Sequence, residues 1–144
     1  NIIEGINKIQ SHSTSNASSV SQCAAIEALA GPQYVINEML AEFKVRRDYM
    51  YDQLVSIPGI TCYKPEGAFF LFPNVSAYFG KKTSVLKIEH SFDFAMHILY
   101  EAKIAAVPGS AFGADGFIRL SYATSMENIK EAMIRFKKAL SHLR

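Results

Sequence analysis

Two stretches of this sequence carry side chains suited to holding an anion. In the first, Phe117-Ile118-Arg119-Leu120-Ser121-Tyr122-Ala123 alternates so that Ile118, Leu120 and Tyr122 share one side of a strand while Phe117, Arg119 and Ser121 share the other. The guanidinium of Arg119 thereby stays out of the core that Ile118 and Leu120 enter. A planar, permanently charged fork on a strand suits two-point capture of a carboxylate. It suits equally a salt bridge to a neighbour such as Asp115 or Glu127, and the strand alone does not choose between the two. In the second stretch, Ser11-His12-Ser13-Thr14-Ser15-Asn16 gathers hydroxyls where a helix is expected to begin. Such a cluster either makes turns and caps or binds a phosphate through hydroxyl and backbone N–H groups.

Other chemistries find less support. His12, His90, His97 and His142 form no HxxxH, HExxH or Cys/His pattern, so no metal site is expected. Ser11 and His12 are adjacent on a loop, a poor arrangement for a nucleophile and its base, and no nucleophile elbow occurs. Gly109 to Gly116 lacks the Gly-Lys-Ser/Thr ending of a P-loop, so its glycines are read as permitting a sharp turn and a close approach. The net charge of +2, with basic residues scattered, does not point to nucleic acid. No apolar run approaches a membrane span, and 144 residues of which 49% are hydrophobic predict a soluble globular fold. Cys23 and Cys62 are far apart and read as buried free thiols, which favours a reducing, cytoplasmic setting.

The elements that must position these groups follow from periodicity and punctuation. Residues 2–9 read as the end of a helix, and 11–19 as a structured loop. A helix to Ala30, capped by Ser15 or Asn16, stops at Gly31-Pro32. Ile36, Leu40, Phe43, Met50, Leu54 and Ile57 then mark one face of a long helix over about 32–57, ended by Pro58-Gly59. Arg47 lies on that stripe and reads as an ion-paired or snorkelled side chain. Ile60–Tyr63 and Phe69–Pro73 predict a hairpin, and 74–90 a loop insertion with a short helix. Ser91 caps a predicted helix to about Ala102 with Phe92, Met96 and Leu99 inward, followed by a short strand over Ile104–Val107. Thr124 and Glu127 match a capping box for a last helix with Ile129, Met133, Phe136, Leu140 and Leu143 on one face. The sum is an α/β (α+β) fold, a small mixed or antiparallel sheet packed by helices.

Four motifs in order, Ser11-His12-Ser13-Thr14-Ser15-Asn16, Pro65-Glu66-Gly67-Ala68-Phe69-Phe70, Val107-Pro108-Gly109-Ser110-Ala111-Phe112-Gly113 and Ile118-Arg119-Leu120-Ser121-Tyr122-Ala123, resemble the C-terminal part of fold-type I pyridoxal-phosphate-dependent aminotransferases, above all the bacterial-type aspartate aminotransferases. The resemblance runs from about residue 2 to 143. It implies that Arg119 binds the substrate α-carboxylate, and that Phe69 and Gly67, with Ala68, line the substrate side of the cleft. Ser13, Thr14 and Ser15 would reach across a homodimer interface to the partner's cofactor phosphate. Residues 1–31 would end the large-domain segment, and 32–144 would form the small C-terminal domain of the transferase fold.

The family's cofactor lysine lies in a Ser-Lys segment followed by Gly-x-Arg, and neither occurs here. The chain also opens on Asn1 without an initiator Met. These departures predict a portion of a longer aminotransferase that lacks its N-terminal large domain, has no catalytic residue of its own, and is silent alone. The same residues leave open a freestanding carboxylate-binding or interaction domain. They also leave open another fold-type I enzyme, such as a condensing enzyme or a carbon-sulfur lyase, since these share the carboxylate arginine.

Overall fold

Local capping sets the first helices of the computed structural model, which describes residues 1–83 and 86–144. The chain divides into two units, Asn1–Glu38 and Met39–Arg144. In the first, helix α1 (Ile2–Ser13) begins where the Asn1 side chain accepts the Ile3 N–H at 3.2 Å. It runs on to Ser13, so Ser11, His12 and Ser13 are helical rather than part of the expected loop. The Ser11 hydroxyl folds back onto the Lys8 carbonyl at 2.9 Å, satisfying itself within the helix instead of breaking it. Helix α2 (Ser19–Ala30) is capped by Ser18, whose oxygen accepts the Ser21 N–H at 3.2 Å. The expected caps, Ser15 and Asn16, do not serve. Ser15 sits just past α1 in the left-handed region at φ 56°. Every residue from 1 to 30 is exposed, including Cys23, so the expectation of a buried thiol there fails: α2 has no packed face within its own unit.

Helix α3 (Tyr34–Val55) confirms the long helix. Its stripe is buried at Met50, Leu54 and the following Ile57, whereas Ile36 and Leu40 are exposed. Pro58-Gly59 ends it as expected, Gly59 taking φ +82°. Arg47 is ion-paired to Asp48 at 2.8 Å, as expected of a charged residue on that stripe.

The sheet is small and antiparallel, in the order β1 (Phe70–Leu71), β3 (Ile118–Ser121), β2 (Val107–Pro108). Phe70 faces Ser121, and Val107 faces Arg119. The hairpin predicted between Ile60–Tyr63 and Phe69–Pro73 shrinks to one bridge, the Asn74 N–H donating to the Thr61 carbonyl at 2.7 Å. β3 takes the pairing edge of β1 instead. The predicted strand over Ile104–Val107 is displaced onto Val107–Pro108, after Lys103 turns the chain at φ 55°. A short 3-10 turn, Ser76–Tyr78, matches the helical piece expected in 74–90, of which residues 84 and 85 lie outside the described residues.

Helix α4 (Ser91–Ala102) is capped from His90, with Asp93 accepting the His90 N–H at 3.0 Å, while Ser91 lies inside the helix and is buried. Its inward face is also rotated from the expectation: Phe94, Ala95, Ile98 and Ala102 are buried, and Phe92 and Leu99 are exposed. Both faces are apolar, so periodicity did not discriminate. Aromatic packing does, because Phe94 meets Tyr78 and Phe136 at ring distances of 5.7 and 6.3 Å. Helix α5 (Met126–Ser141) is capped by Ser125 rather than Thr124, with the Asn128 N–H at 3.3 Å. Its predicted face of Ile129, Met133, Phe136, Leu140 and Leu143 is buried throughout. Helix α4 packs on α5 and β2, closing one core with Leu54, Leu71 and Ile118.

Candidate functional site

Alternation along β3 does what the sequence predicts. Ile118, Leu120 and Tyr122 are buried, and Arg119 is half-buried on the opposite face. There its guanidinium carbon lies 4.4 Å from the Phe70 ring centre and 4.8 Å from that of Phe112. Two rings attract the charged group by cation–π interaction, which uses none of its N–H donors in a hydrogen bond. Phe70 comes from β1 and Phe112 from the 3-10 turn Gly109–Phe112. Phe72 extends the aromatic wall, stacked on Phe117 at 5.0 Å and edge-on to Phe112 at 6.0 Å.

The salt-bridge alternatives for Arg119 are otherwise occupied. Asp115 accepts the Ser91 hydroxyl at 2.7 Å, the Ser91 N–H at 2.9 Å and a 2.9 Å contact from His90 Nδ1. The Ser91 hydroxyl, the Ser91 N–H and then His90 hold the Asp115 carboxyl at a pKa of about 2, and Asp115 in turn raises that of His90. Glu127 is held ionised by its own backbone N–H and by the Ser125 hydroxyl. Among the described residues the Arg119 guanidinium has no carboxylate partner and donates no hydrogen bond.

The turn that supplies Phe112 is anchored by the same Asp115 cluster. Ser91 Oγ, besides donating to Asp115, accepts the Ser110 N–H at 3.1 Å. Gly109 is buried at the start of that turn, its N–H donating to the Phe117 carbonyl at 2.8 Å. Any side chain at 109 would drive into the carbonyl oxygens of Ala114 and Phe117, which explains the glycine.

Phe69 and Gly67 are exposed near the start of β1, and the Phe69 ring contacts Phe70 at 4.2 Å. Phe69 thus stands one ring away from Arg119. Between Gly67 and Phe69, Ala68 adopts φ 59°. Ser13, Thr14 and Ser15 lie in the first unit at the C-terminal end of α1, not at a helix start, so no helix N-terminus aids anion binding there. Thr14 and Ser15 hydroxyls reach the Gln10 and Ser11 carbonyls only at 3.5 Å and are exposed. Residue types alone did not single out Phe70 and Phe112 as the rings flanking Arg119. Their aromatic character was visible, but the β1–β3 register that brings Phe70 beside Arg119 was not.

The structure is thus a helix-packed antiparallel sheet that presents Arg119 beside the rings of Phe70 and Phe112. The chain belongs to the aminotransferase class I and II family, whose model matches residues 1–136. It is 50% identical over 139 residues to a probable aspartate/prephenate aminotransferase of Rickettsia felis, covering 96% of this chain and 34% of that protein. To the aspartate aminotransferase of Geobacillus stearothermophilus it is 45% identical, covering 95% of this chain and 34% of the relative. The aspartate aminotransferase structure from Rhizobium meliloti superposes with a TM-score of 0.90 at 42% identity, over 94% of this chain and 34% of that one. The chain thus spans about a third of the length of the curated relatives it matches. Family membership implies pyridoxal phosphate dependence for the relatives' kind of enzyme. No helix among the described residues is long and apolar enough to cross a membrane.

Proposed function

We propose that this chain is the C-terminal portion of a pyridoxal-phosphate-dependent aminotransferase of the aspartate/2-oxoglutarate type, and that Arg119 binds the α-carboxylate of its amino acid and 2-oxo acid substrates. The observation that carries the reading is the state of Arg119: its guanidinium lies over the rings of Phe70 and Phe112, with no carboxylate of the described residues spending its charge. A fork so held loses little freedom when a carboxylate arrives, which favours tight, oriented capture. Phe69 and Gly67 line the same side of the cleft in this reading.

Residues 1–31 end the large-domain segment, and 32–144 form the small domain. The exposed hydroxyls of Ser13, Thr14 and Ser15 are donors of the right chemistry for a phosphate, and Thr14 and Ser15 have only long contacts to give up. They would hold the cofactor phosphate of a partner subunit in a cytoplasmic homodimer. When bound, pyridoxal phosphate supplies the electron sink for moving an amino group from an amino acid to a 2-oxo acid. This chain's part is to fix the carboxylate so that the bond to be broken is correctly aligned. Without the large domain and its lysine, the chain alone is catalytically silent.

The test uses the longer gene product. It should show cofactor absorbance and transaminate aspartate with 2-oxoglutarate, and Arg119→Lys should raise KM for both by about one to three powers of ten. Unchanged substrate affinity in that variant would remove the role given to Arg119. A longer product without cofactor absorbance would return the chain to a binding domain.

A further inference from the structure

Among the described residues Ala68 is one of three non-glycine residues with a positive φ, and it directly precedes the Phe69-Phe70 pair beside Arg119. That conformation is disfavoured for an alanine, so the surrounding structure must favour it. Two side chains from distant elements grip the backbone on either side of it. The Tyr122 hydroxyl, at the end of β3, donates to the Ala68 carbonyl at 2.9 Å, and the Tyr122 N–H donates to the Phe69 carbonyl at 3.0 Å. From α3, Arg47 Nη1 donates to the Pro65 carbonyl at 3.0 Å.

Both grips are themselves fixed. The Tyr122 ring is buried and packs on Phe43 at 6.1 Å. Arg47 places Nε and Nη2 on Asp48 Oδ1, each at 2.8 Å, and Lys64 Nζ joins the same oxygen at 3.0 Å. The fork therefore cannot swing away from Pro65 without breaking a three-member ion cluster.

We infer that Tyr122 and Arg47 are positioning residues for the substrate carboxylate: they hold Pro65–Phe69 in the left-handed turn that sets Phe70 against Arg119. Neither has a described contact with Arg119. Their influence passes through the backbone at Ala68 and Phe69 and through the Phe70 ring, 4.4 Å from the guanidinium. If the hydroxyl is lost, Ala68 relaxes toward an ordinary φ, the Phe70 ring shifts, and Arg119 loses one of the two faces that hold its plane. The consequence is weaker carboxylate capture with the bond-making machinery elsewhere intact.

The inference rests on the aminotransferase reading, so the experiment separates the two. In the full-length holoenzyme, Tyr122→Phe keeps the buried ring and removes only the hydroxyl. It should raise KM for the amino acid donor about three- to tenfold, the range of one neutral hydrogen bond, with kcat changed less than about twofold. Arg47→Lys should act in the same direction, since a lysine keeps the charge but cannot bridge Asp48 and Pro65 together.

The decisive arm is Ala68→Gly in the Tyr122→Phe background. Glycine occupies the left-handed region without strain, so it should recover most of the lost affinity although it adds no contact. A purely packing role for Tyr122 would not be relieved that way. An unchanged KM in Tyr122→Phe, or a loss that Ala68→Gly leaves in place, overturns the inference while transamination by the wild type keeps the parent reading standing. A full-length wild type that does not transaminate overturns both.

Discussion

Residues 1–38 and 39–144 are held in different ways. In the first unit, α1 and α2 are completed by their own caps, and none of residues 1–30 is buried. Ile2, Ile6 and Ile9 recur at helical spacing on α1 with 82%, 54% and 71% of their surface exposed. A face of that kind is built to be covered, and its own unit does not cover it. In the second unit Leu54, Leu71, Phe94, Ile98, Ile118 and Phe136 are fully buried in one core. The lesson is that Arg119 and its rings stand on the unit that has a buried core of its own. The first unit, by contrast, has no buried core among the described residues.

The largest test of this contrast removes bulk from each side. Phe136→Ala empties the centre of the second unit's core, where Phe136 is fully buried, and should cost about 3–5 kcal/mol. Ile6→Ala removes an exposed side chain and should change stability of this chain by no more than about 0.5 kcal/mol. Urea unfolding followed by tyrosine fluorescence measures both. Comparable losses would show that α1 is packed as firmly as α5, and the contrast would be gone.

A middle-sized effect probes how the core reaches the site. Ser91 is fully buried, and its hydroxyl joins Asp115 to the Ser110 N–H that holds the Phe112 turn. Ser91→Ala leaves those partners short of a bond and should destabilise the second unit by about 1–3 kcal/mol. The cluster also sets a pH dependence. Asp115 falls from an ordinary 3.8 to about 2 in the folded chain, so its contribution is complete above the ordinary value and is lost as pH falls toward 2. His90 is raised above its ordinary 6.5, so its contribution is complete below that value and is lost as pH rises through the folded one. The pair therefore stabilises most in the window between the two limits. Asp115→Asn should flatten both limbs of the urea midpoint against pH; unchanged limbs would mean that the cluster is not what holds the turn.

What the sequence revealed follows the same division of physics. Periods of 3.6 and 2 are strong where one face is apolar and the other polar, so α5 and the strand bearing Arg119 were legible down to individual residues. Helix α4 was legible in extent but not in orientation, because Phe92, Met96 and Leu99 compete with Phe94, Ile98 and Ala102 for the core, and only the rings of Tyr78 and Phe136 decide. Pairing partners were the least legible. The adjacent segments at 60–63 and 69–73 looked like a hairpin, yet β1 pairs with β3, across a long sequence separation. The same long-range register brings Phe70 to Arg119 and Tyr122 to Ala68. Arg119 was therefore visible as a candidate, and the rings and clamps around it were not.

The smallest expected effect compares one chemical change at two helix starts. Ser18 caps α2 and Ser125 caps α5, each accepting an N–H three residues on, at 3.2 and 3.3 Å. Replacing either with alanine removes the same bond, worth about 1 kcal/mol to its helix. Helix α5 buries Ile129, Met133 and Phe136 in the core, so its cap is coupled to the whole unit and Ser125→Ala should lower global stability by about that amount. Helix α2 has nothing buried to couple to, so Ser18→Ala should leave the global midpoint in place and appear only as faster amide exchange in the first turn of α2. Equal shifts of the urea midpoint would mean that α2 unfolds together with the core, and the two regions would then form one cooperative body.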